Sequence, residues 1–222
     1  ANTPDADQHA GVPLCAPTLI VPRVFEPEFC RTLIDHYNTR GGEPSGITVQ
    51  DSNGVVSVRL SPTFKKRFDC TIEDAPLRDA VMHRIYWRLA PEIEKAFSWR
   101  ATRMERYLIA CYDAAEGGYF RPHRDNTTHA TAHRRFAVTI NLNAEEYEGG
   151  DLRFPEFGAR AYRAPTGGAV VFSCALMHEA LPVTRGKRYA FLPFLYDDSG
   201  AKLRAKNNKF LDNETIRPYG GR

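Results

Sequence analysis

The hydrophobic pattern changes its period near Trp99, and this change constrains the fold more than any other feature of the sequence. Before Trp99 apolar residues recur at helical spacing, whereas after it short apolar segments alternate with Gly and Pro, as in a β-sandwich or barrel. The segments predicted as strands are 102–112, 119–124, 134–143, 149–154, 160–164, 168–173, 178–184 and 186–196. We therefore predict a mainly β fold with flanking helices (α+β), whose core is a double-stranded β-helix, or jelly roll, of eight strands.

The first part of the chain predicts two helical regions and a hairpin. One helix begins at Pro27 and ends before Gly41-Gly42. A second helical region runs from about Ala75 to Phe97, and we expect Pro91 to kink or split it. Between the two, Asn53-Gly54 is a strong hairpin signal. These elements are expected to buttress the jelly roll.

We interpret the chain as a single structural domain with three parts. Residues 1–98 form an N-terminal arm, helices and a substrate-side hairpin packed on the core. Residues 99–198 form the jelly-roll core, and residues 199–222 form a polar C-terminal tail that wraps around the core or frays.

Composition excludes several classes of function. A net charge of +3 and a pI of about 8.6 are too mild to indicate a polyanionic partner, so nucleic acid is not expected. The five cysteines are odd in number and form no CxxC pair, which favours free thiols in a reducing compartment over a disulfide framework or a zinc site. Apolar runs are too short for a membrane helix, so we expect a cytoplasmic protein without membrane association. The oligomeric state is left open.

Candidate metal ligands occur near the ends of two predicted strands. Side chains at i and i+2 of a strand point to the same face, so His123 and Asp125 can converge on one ion. His178, at the start of a distant strand, can supply a third ligand. Two imidazoles and one carboxylate form the facial triad of non-haem Fe(II) oxygenases. An isolated His-x-Asp tripeptide is common, however, and is usually structural.

Arg188 strengthens this interpretation because it stands ten residues after His178. Gly186 predicts a turn between two apolar strands, so a hairpin can return Arg188 to the side of His178. A buried guanidinium is costly unless it is paired, and a carboxylate bound through both oxygens is its natural partner.

Several motifs between Tyr107 and Asp197 occur in a characteristic order. They are Cys111-Tyr112, Gly117-Gly118-Tyr119-Phe120, His123-Arg124-Asp125-Asn126, the strand ending in Asn141-Leu142-Asn143, Gly149-Gly150-Asp151-Leu152-Arg153-Phe154-Pro155-Glu156, and His178 to Arg188. In order and spacing the segment resembles the prolyl 4-hydroxylase-like family of Fe(II)/2-oxoglutarate-dependent dioxygenases.

The resemblance implies a set of roles for these residues. His123, Asp125 and His178 are expected to bind Fe(II), and Arg188 to bind the distal carboxylate of 2-oxoglutarate. Further contacts implied by the family are Tyr112 and Asn141 to 2-oxoglutarate, and Arg134 and Asn126 to the substrate. The position of Asn141 often carries a tyrosine in the family, so its role is open. The implied reaction uses O2 to hydroxylate an unactivated C–H bond, releases succinate and CO2, and can use ascorbate as reductant.

Other polar residues are assigned no ligand role. His129 and His133 are expected to be solvated, because they flank a polar run that is typical of a mobile loop. Lys65-Lys66-Arg67 is interpreted as a solvated face, with contact to an acidic substrate as the alternative. Gly149-Gly150 is interpreted as a simple turn.

Three other functions were weighed against the dioxygenase. A nucleic-acid demethylase on the same core would carry an Arg-x-Asn-x-Thr-x-Arg run after the distal His, and this chain has Arg188-Tyr-Ala-Phe-Leu-Pro-Phe194 instead. A cupin-like isomerase or sensor would not need Arg188, and a non-catalytic interaction domain would not need intact iron ligands. We expect the substrate to be an amino-acid side chain in a peptide or protein, with a free amino acid or small metabolite as the alternative.

Overall fold

The structure is a computed structural model that describes residues 14–212. The start of the predicted N-terminal arm, residues 1–13, and the end of the predicted tail, residues 213–222, lie outside the described residues. Within residues 14–212, no helix has both the length and the apolar character needed to cross a membrane.

Helices and short strands share the part of the chain before Trp99. In chain order they are β1 (Thr18–Val21), α1 (Pro27–Arg40), β2 (Glu43–Pro44), β3 (Ile47–Gln50), β4 (Val56–Arg59), β5 (Lys65–Lys66), β6 (Phe68–Thr71), α2 (Ala75–Arg84), a π-helical segment (Ile85–Leu89) and α3 (Ala90–Phe97).

Strands dominate the remainder, as the change of period predicts. They are β7 (Arg103–Glu105), β8 (Leu108–Asp113), β9 (Tyr119–His123), β10 (Phe136–Asn141), β11 (Glu148–Gly149), β12 (Leu152–Arg153), β13 (Ala161–Tyr162), β14 (Ala169–Ser173), β15 (His178–Ala180), β16 (Val183–Arg185), β17 (Lys187–Phe191) and β18 (Phe194–Tyr196). A 3-10 turn (Pro155–Phe157) follows β12, and α4 (Asp198–Asn207) with a second 3-10 turn (Asn208–Phe210) ends the described chain.

Two sheets form the core. The larger has the strand order β1-β14-β10-β17-β8-β6-β2, with β18 bridging β10 and β7, and the smaller has the order β13-β12-β15-β9-β5. Apolar side chains of both sheets share one buried cluster, so the sheets pack face to face. The predicted mainly β fold with flanking helices is confirmed. The two sheets packed face to face agree with the predicted jelly-roll core.

Successive side chains of strand β8 pack into two different layers of the structure. Ile109 and Cys111 pack with the cluster that contains α1, α2 and α3, whereas Leu108, Ala110 and Tyr112 pack towards the smaller sheet. Because successive side chains of a strand point to opposite faces, β8 separates the helical layer from the interior of the sandwich. A continuous apolar run at these positions is therefore required.

Four of the predicted strand segments each contain two strands. The segment 102–112 is divided at Arg106, whose φ of 67° no strand residue adopts. The segment 186–196 is divided before Pro193, which has no N–H to donate to a sheet. Segments 149–154 and 178–184 are divided at Gly150 and Pro182. The period-2 pattern located the strands but not these interruptions.

The remaining predictions for the flanking elements agree with the structure in most respects. The hairpin β3–β4 turns at Asn53-Gly54. The second helical region is divided by the π-helical segment, and Pro91 lies in the first turn of α3, directly after that segment. Residues 198–207 form α4 instead of fraying, because Asp197 caps its N-terminus and Asn207 donates to the carbonyl of His129.

A buried ionic cluster lies where α4 meets β7. Glu105 is 5% exposed and binds His133 Nε2 at 3.0 Å and Arg134 Nε at 2.6 Å, with Arg204 Nη2 at 3.6 Å. Burial by itself would raise the pKa of Glu105, but Arg134, His133 and Arg204 hold it below its ordinary range. The expectation that His133 is solvated is wrong, since His133 is 1% exposed and binds the Glu105 carboxylate.

Replacing Glu105 with Gln is expected to lower the free energy of unfolding by about 3–5 kcal/mol at neutral pH, because Arg134 keeps its charge in a buried site without a counter-ion. The loss should shrink as the pH falls below 4.5, the ordinary pKa of Glu105. A carboxylate with a lowered folded-state pKa stabilises the fold above its unfolded-state pKa and loses that contribution as the pH falls towards the folded-state value.

Urea unfolding followed by circular dichroism measures both effects. Glu148→Gln is the matched control, since it breaks the solvent-exposed pair with Arg185 and should change stability little. Equal losses in the two variants would contradict a stabilising role specific to the buried cluster.

Candidate active site

His123, Asp125 and His178 meet at one end of the smaller sheet. His123 is the last residue of β9 and pairs directly with His178, the first residue of β15. Asp125 follows β9, and its N–H donates to the carbonyl of Cys174. Nε2 of His123 lies 3.6 Å and Nε2 of His178 lies 3.2 Å from the Asp125 carboxylate, and one ligand atom of each residue lies within 4.8 Å of the others.

Hydrogen bonds orient both imidazole rings. Nδ1 of His123 lies 2.7 Å from the carbonyl oxygen of Arg121, and Nδ1 of His178 lies 3.0 Å from that of Leu176. A carbonyl oxygen only accepts, so Nδ1 of each ring carries the proton and Nε2 keeps its lone pair. Metal-binding histidines are oriented in this way by a second hydrogen bond.

The charges at the site suit a divalent cation. Burial, and then the neighbouring His178, lower the pKa of His123 to about 3, so that its ring is neutral at physiological pH. Burial disfavours ionisation of Asp125, but the two histidines more than offset this and hold its pKa below the ordinary range. Two neutral nitrogens and one carboxylate are the donors that a non-haem Fe(II) site requires, so the residues fit this metal.

A cavity opens beside the three residues and lies between the sheets. Its wall combines the candidate ligands with aromatic, aliphatic and basic side chains: Arg67, Arg106, Tyr112, Phe120, His123, Asp125, Ala137, Val138, Thr139, Leu152, Phe172, His178, Ala180, Arg188, Leu192 and Phe194.

Arg188 is buried in the cavity wall without a carboxylate partner among the described residues. Its Nη1 donates to the carbonyl of Gly150 at 2.8 Å, its Nη2 donates to Oγ1 of Thr139 at 3.0 Å, and its Cζ lies 5.1 Å from the Tyr112 ring centre. Tyr112 pairs with Arg188 across β8 and β17. A guanidinium that is 4% exposed and meets only neutral groups needs an anionic ligand.

Gly150 positions Arg188 and does more than complete a turn. Its φ is +67°, and a Cβ there would lie 2.8 Å from Val183 Cγ2 and 3.3 Å from Arg188 Cδ. The adjacent Gly149 is equally constrained, because a Cβ would lie 2.3 Å from the carbonyl oxygen of Pro182. The interpretation of Gly149-Gly150 as a simple turn missed the contact of the Gly150 carbonyl with the guanidinium.

Asn141 does not line the cavity. Its Nδ2 donates to the carbonyl of Ala164 at 2.7 Å, and it is 3% exposed. Thr139, two residues earlier on β10, contacts Arg188 instead. Thr139 was not among the predicted site residues, although the alternation of side chains along β10 places residues 139 and 141 on one face.

The tentative substrate residues are also placed outside the cavity wall. Arg134 donates from Nε to Glu105 and lies near the carbonyl of Asp125, with its Cζ 3.9 Å from the Phe194 ring centre. It thus supports the backbone behind the candidate metal ligands. Asn126 lies in the bend that follows Asp125.

Two further expectations about polar residues are wrong. Lys65 and Arg67 are 6% and 4% exposed, so only Lys66 of this run faces solvent. Lys65 is held by the pairing of β5 with β9, and Arg67 lies between β5 and β6, which pairs with β8; local sequence reveals neither pairing. His129 is half-buried, with its ring stacked on Phe210 at 4.1 Å.

Comparison with known proteins matches part of the chain to a family model. The sequence model of the 2OG-Fe(II) oxygenase superfamily matches residues 107–196, which include His123, Asp125, His178 and Arg188. Among curated relatives, a PKHD-type hydroxylase of Synechococcus sp. (strain JA-2-3B'a(2-13)) is 35% identical over 89 residues, covering 37% of this chain and 39% of the relative. The chain thus matches about two fifths of the length of that relative.

Solved structures show the same fold at low sequence identity. A prolyl-4-hydroxylase of Pseudomonas putida has a TM-score of 0.60 at 17% identity, covering 86% of this chain and 96% of that one. A prolyl hydroxylase of Trichoplax adhaerens, in complex with a hypoxia inducible factor peptide fragment, has a TM-score of 0.57 at 17% identity and covers 86% of both chains.

Replacing Gly150 with Ala is expected to weaken 2-oxoglutarate binding by roughly tenfold, since the new methyl group displaces Arg188 and Val183. Gly158→Ala is the matched control: Gly158 also has a positive φ, of +92°, but a Cβ there meets nothing within 4 Å. Both variants should lose stability from the strained backbone. Calorimetric titration with 2-oxoglutarate in the presence of metal separates the two effects, and equal affinities in the two variants would argue against a positioning role for Gly150.

Proposed function

We propose that the chain is a 2-oxoglutarate-dependent dioxygenase that hydroxylates an unactivated C–H bond, since residues 107–196 match the sequence model of the 2OG-Fe(II) oxygenase superfamily. The observation that carries the proposal is the meeting, in one cavity, of His123, Asp125 and His178 with the buried cation Arg188. A cupin-like metal protein does not need such a cation. The match to hydroxylase sequences supports the same reaction type.

Each residue has a defined task in this proposal. His123, Asp125 and His178 hold Fe(II), and Arg188 binds the distal carboxylate of 2-oxoglutarate through its two terminal nitrogens. When bound, the metal and 2-oxoglutarate supply an O2-dependent oxidation in which one oxygen atom enters succinate, CO2 leaves, and the other oxygen atom enters the substrate C–H bond. Ascorbate is proposed as the reductant that keeps the iron divalent.

The cavity wall supplies the environment for this chemistry. Phe120 stacks on the His123 ring with a centroid distance of 3.5 Å, and Phe172 packs against His178 at 4.5 Å. Phe154 lies beyond them at 6.3 Å from His178. These rings hold the imidazoles in place and keep bulk water away from the open side of the candidate ligands.

The proposed substrate is an amino-acid side chain in a peptide or protein. Support comes from the hydroxylase relatives and from the solved structure of a prolyl hydroxylase in complex with a peptide fragment. The hairpin β3–β4 lies in the chain before the core, in the region where we expected substrate contacts. A free amino acid is the second candidate, because the cavity lies directly beside the candidate metal ligands and carries polar side chains in a mainly apolar wall.

Replacing His178 with Ala is expected to weaken Fe(II) binding by about a hundredfold or more, because a ligand itself is removed and loss of an outer-shell partner alone typically costs 10- to 100-fold. Anaerobic calorimetry measures the affinity. His83→Ala, on the exposed side of α2, is the control and should bind Fe(II) like the unmodified protein. Unchanged affinity in the His178 variant would refute the metal assignment.

The substrate class is tested by incubating the protein, Fe(II), ascorbate and 2-oxoglutarate with a denatured proteome and, separately, with a pool of free metabolites. We expect the gain of one oxygen on peptides of the first sample, detected by mass spectrometry and dependent on His178. Oxygen gain only in the metabolite pool would overturn the preference for peptides. Succinate release without any oxidised product would leave the reaction type supported and exclude both substrate pools.

A further inference from the structure

The cavity contains a second group of basic side chains that the proposed chemistry does not use. Arg67 and Arg106 both line its wall. Arg67 binds both oxygens of Asp69 at 2.6 and 2.7 Å, and Arg106 Nη2 lies 3.3 Å from the same carboxylate. Lys65 lies near Arg67 and Asp69 but does not line the wall. These four residues, Lys65, Arg67, Asp69 and Arg106, form what we call the basic cluster.

Tyr112 separates the basic cluster from Arg188. The Cζ of Arg188 lies 5.1 Å and that of Arg67 lies 5.7 Å from the Tyr112 ring centre, and Nη1 of Arg67 lies 3.4 Å from the Tyr112 hydroxyl. Arg67 follows β5 and precedes β6, which pairs with β8 on the side away from β17. The two cations therefore lie on opposite sides of Tyr112 in one cavity.

The basic cluster also adjoins the candidate metal ligands. Lys65 Nζ lies 4.8 Å from the ring centre of Phe120, and this ring stacks on His123. Lys65 donates to Ser45 Oγ at 2.6 Å and to the carbonyl of Gly46 at 2.8 Å. Arg67 and Arg106 line the same cavity as His123, Asp125 and His178, so a ligand group bound by the two arginines would place its neighbouring atoms in the cavity beside the metal position.

The cavity carries more positive than negative charge. Its lining includes three arginines, Arg67, Arg106 and Arg188, but only one carboxylate, Asp125. Behind the wall, Asp69 pairs with Arg67 and Arg106 and is a second carboxylate, so the three arginines still exceed the carboxylates by one charge. Divalent iron and doubly ionised 2-oxoglutarate would add no net charge, so the excess persists when both are bound. Burial, and then Arg67, lower the pKa of Lys65 well below its ordinary value, as expected where positive charge already dominates.

Arg106 is held in the cavity by an unusual backbone. Its φ of +67° lies in the left-handed region, which costs a residue with a side chain about 1 kcal/mol or more. The residue lies between β7 and β8, where it interrupts the predicted strand. Strained residues cluster at sites where a side chain must be aimed at a ligand.

We infer that Arg67 and Arg106 form a subsite that binds a carboxylate of the substrate and thereby presents the adjacent C–H bond to the metal. The inference rests on the proposed function and specifies the chemical class of its substrate. The carboxylate comes from a free amino acid, from the C-terminus of a peptide, or from an acidic side chain next to the target residue. All three share the same chemistry at the arginines.

The test compares two probes that differ only in this charge, N-acetylglycine and N-acetylglycinamide. Binding is measured by ligand-observed NMR to the protein loaded with Zn(II) and saturating 2-oxoglutarate, so that Arg188 is occupied and no turnover occurs. The acid is expected to bind roughly tenfold more tightly than the amide. This preference should disappear in Arg106→Asn, because asparagine tolerates the positive φ but carries no charge.

Arg185→Ala is the matched control: it also removes one positive charge, but from an exposed pair with Glu148. It should keep the full preference for the acid. Arg67→Met is a second test variant, used if circular dichroism shows that it folds without the partner of Asp69. Equal binding of acid and amide by the unmodified protein would overturn the subsite, as would an unchanged preference in folded Arg106→Asn or displacement of 2-oxoglutarate by the acid.

Turnover assays then distinguish the sources of the carboxylate. Succinate release above the uncoupled rate is compared for free amino acids and their amides, for peptides with free and amidated C-termini, and for amidated peptides with Asp or Asn beside the target residue. The set in which the acid form is favoured identifies the source, whereas preference for the neutral form in every set would contradict the inference. If none of these compounds is turned over, the result contradicts the proposed function alone. The NMR measurement still tests the subsite independently.

Discussion

The antiparallel pairing of β9 with β15 determines where the rest of the site lies. It places His123 directly opposite His178, on adjacent strands that are about 4.8 Å apart in any sheet. Asp125, two residues beyond His123, then reaches the same point. The larger sheet faces this pair from about 10 Å away, a distance that side chains from both sheets can fill. Arg188 and Tyr112 project into that space because β17 and β8 are paired in register.

Burial of charge is the main energetic cost of this arrangement. Arg188 contacts a carbonyl, a hydroxyl and an aromatic ring, none of which compensates a full positive charge. The sandwich around it must therefore be stable enough to hold the guanidinium before a ligand arrives. The buried charge of Glu105, in contrast, is compensated internally by Arg134 and His133. The contrast separates a structural cluster from a site prepared for a ligand.

Local sequence signals predicted much of this structure. The change of period near Trp99 predicted the strand-rich core, and Asn53-Gly54 predicted the turn of the β3–β4 hairpin. The spacing of His123, Asp125, His178 and Arg188 predicted a set of residues that the structure brings to one cavity, because strand alternation and a hairpin are short-range geometry.

Burial that depends on pairing between distant strands was not predictable in the same way. Lys65 and Arg67 belong to a basic run that is typical of a solvated surface, and only the pairing of β5 with β9 and of β6 with β8 encloses them. His133 is buried by α4, a helix with no marked apolar face, which contributes Arg204 to the same carboxylate. Thr139 was missed because a hydroxyl carries no sequence signal for contact with one particular arginine.

The residues that line the cavity come from two parts of the chain, and this division suggests how such a fold acquires specificity. The residues proposed to hold iron and 2-oxoglutarate all lie within 107–196, the segment that matches the superfamily. Arg67 and Arg106 precede it, at the edge of the larger sheet and at the entry to β8. These two positions contribute to the charge of the cavity but lie outside the strands that carry His123, His178 and Arg188. Fold and cofactor chemistry can thus stay constant while the choice of substrate is determined by elements outside the common core.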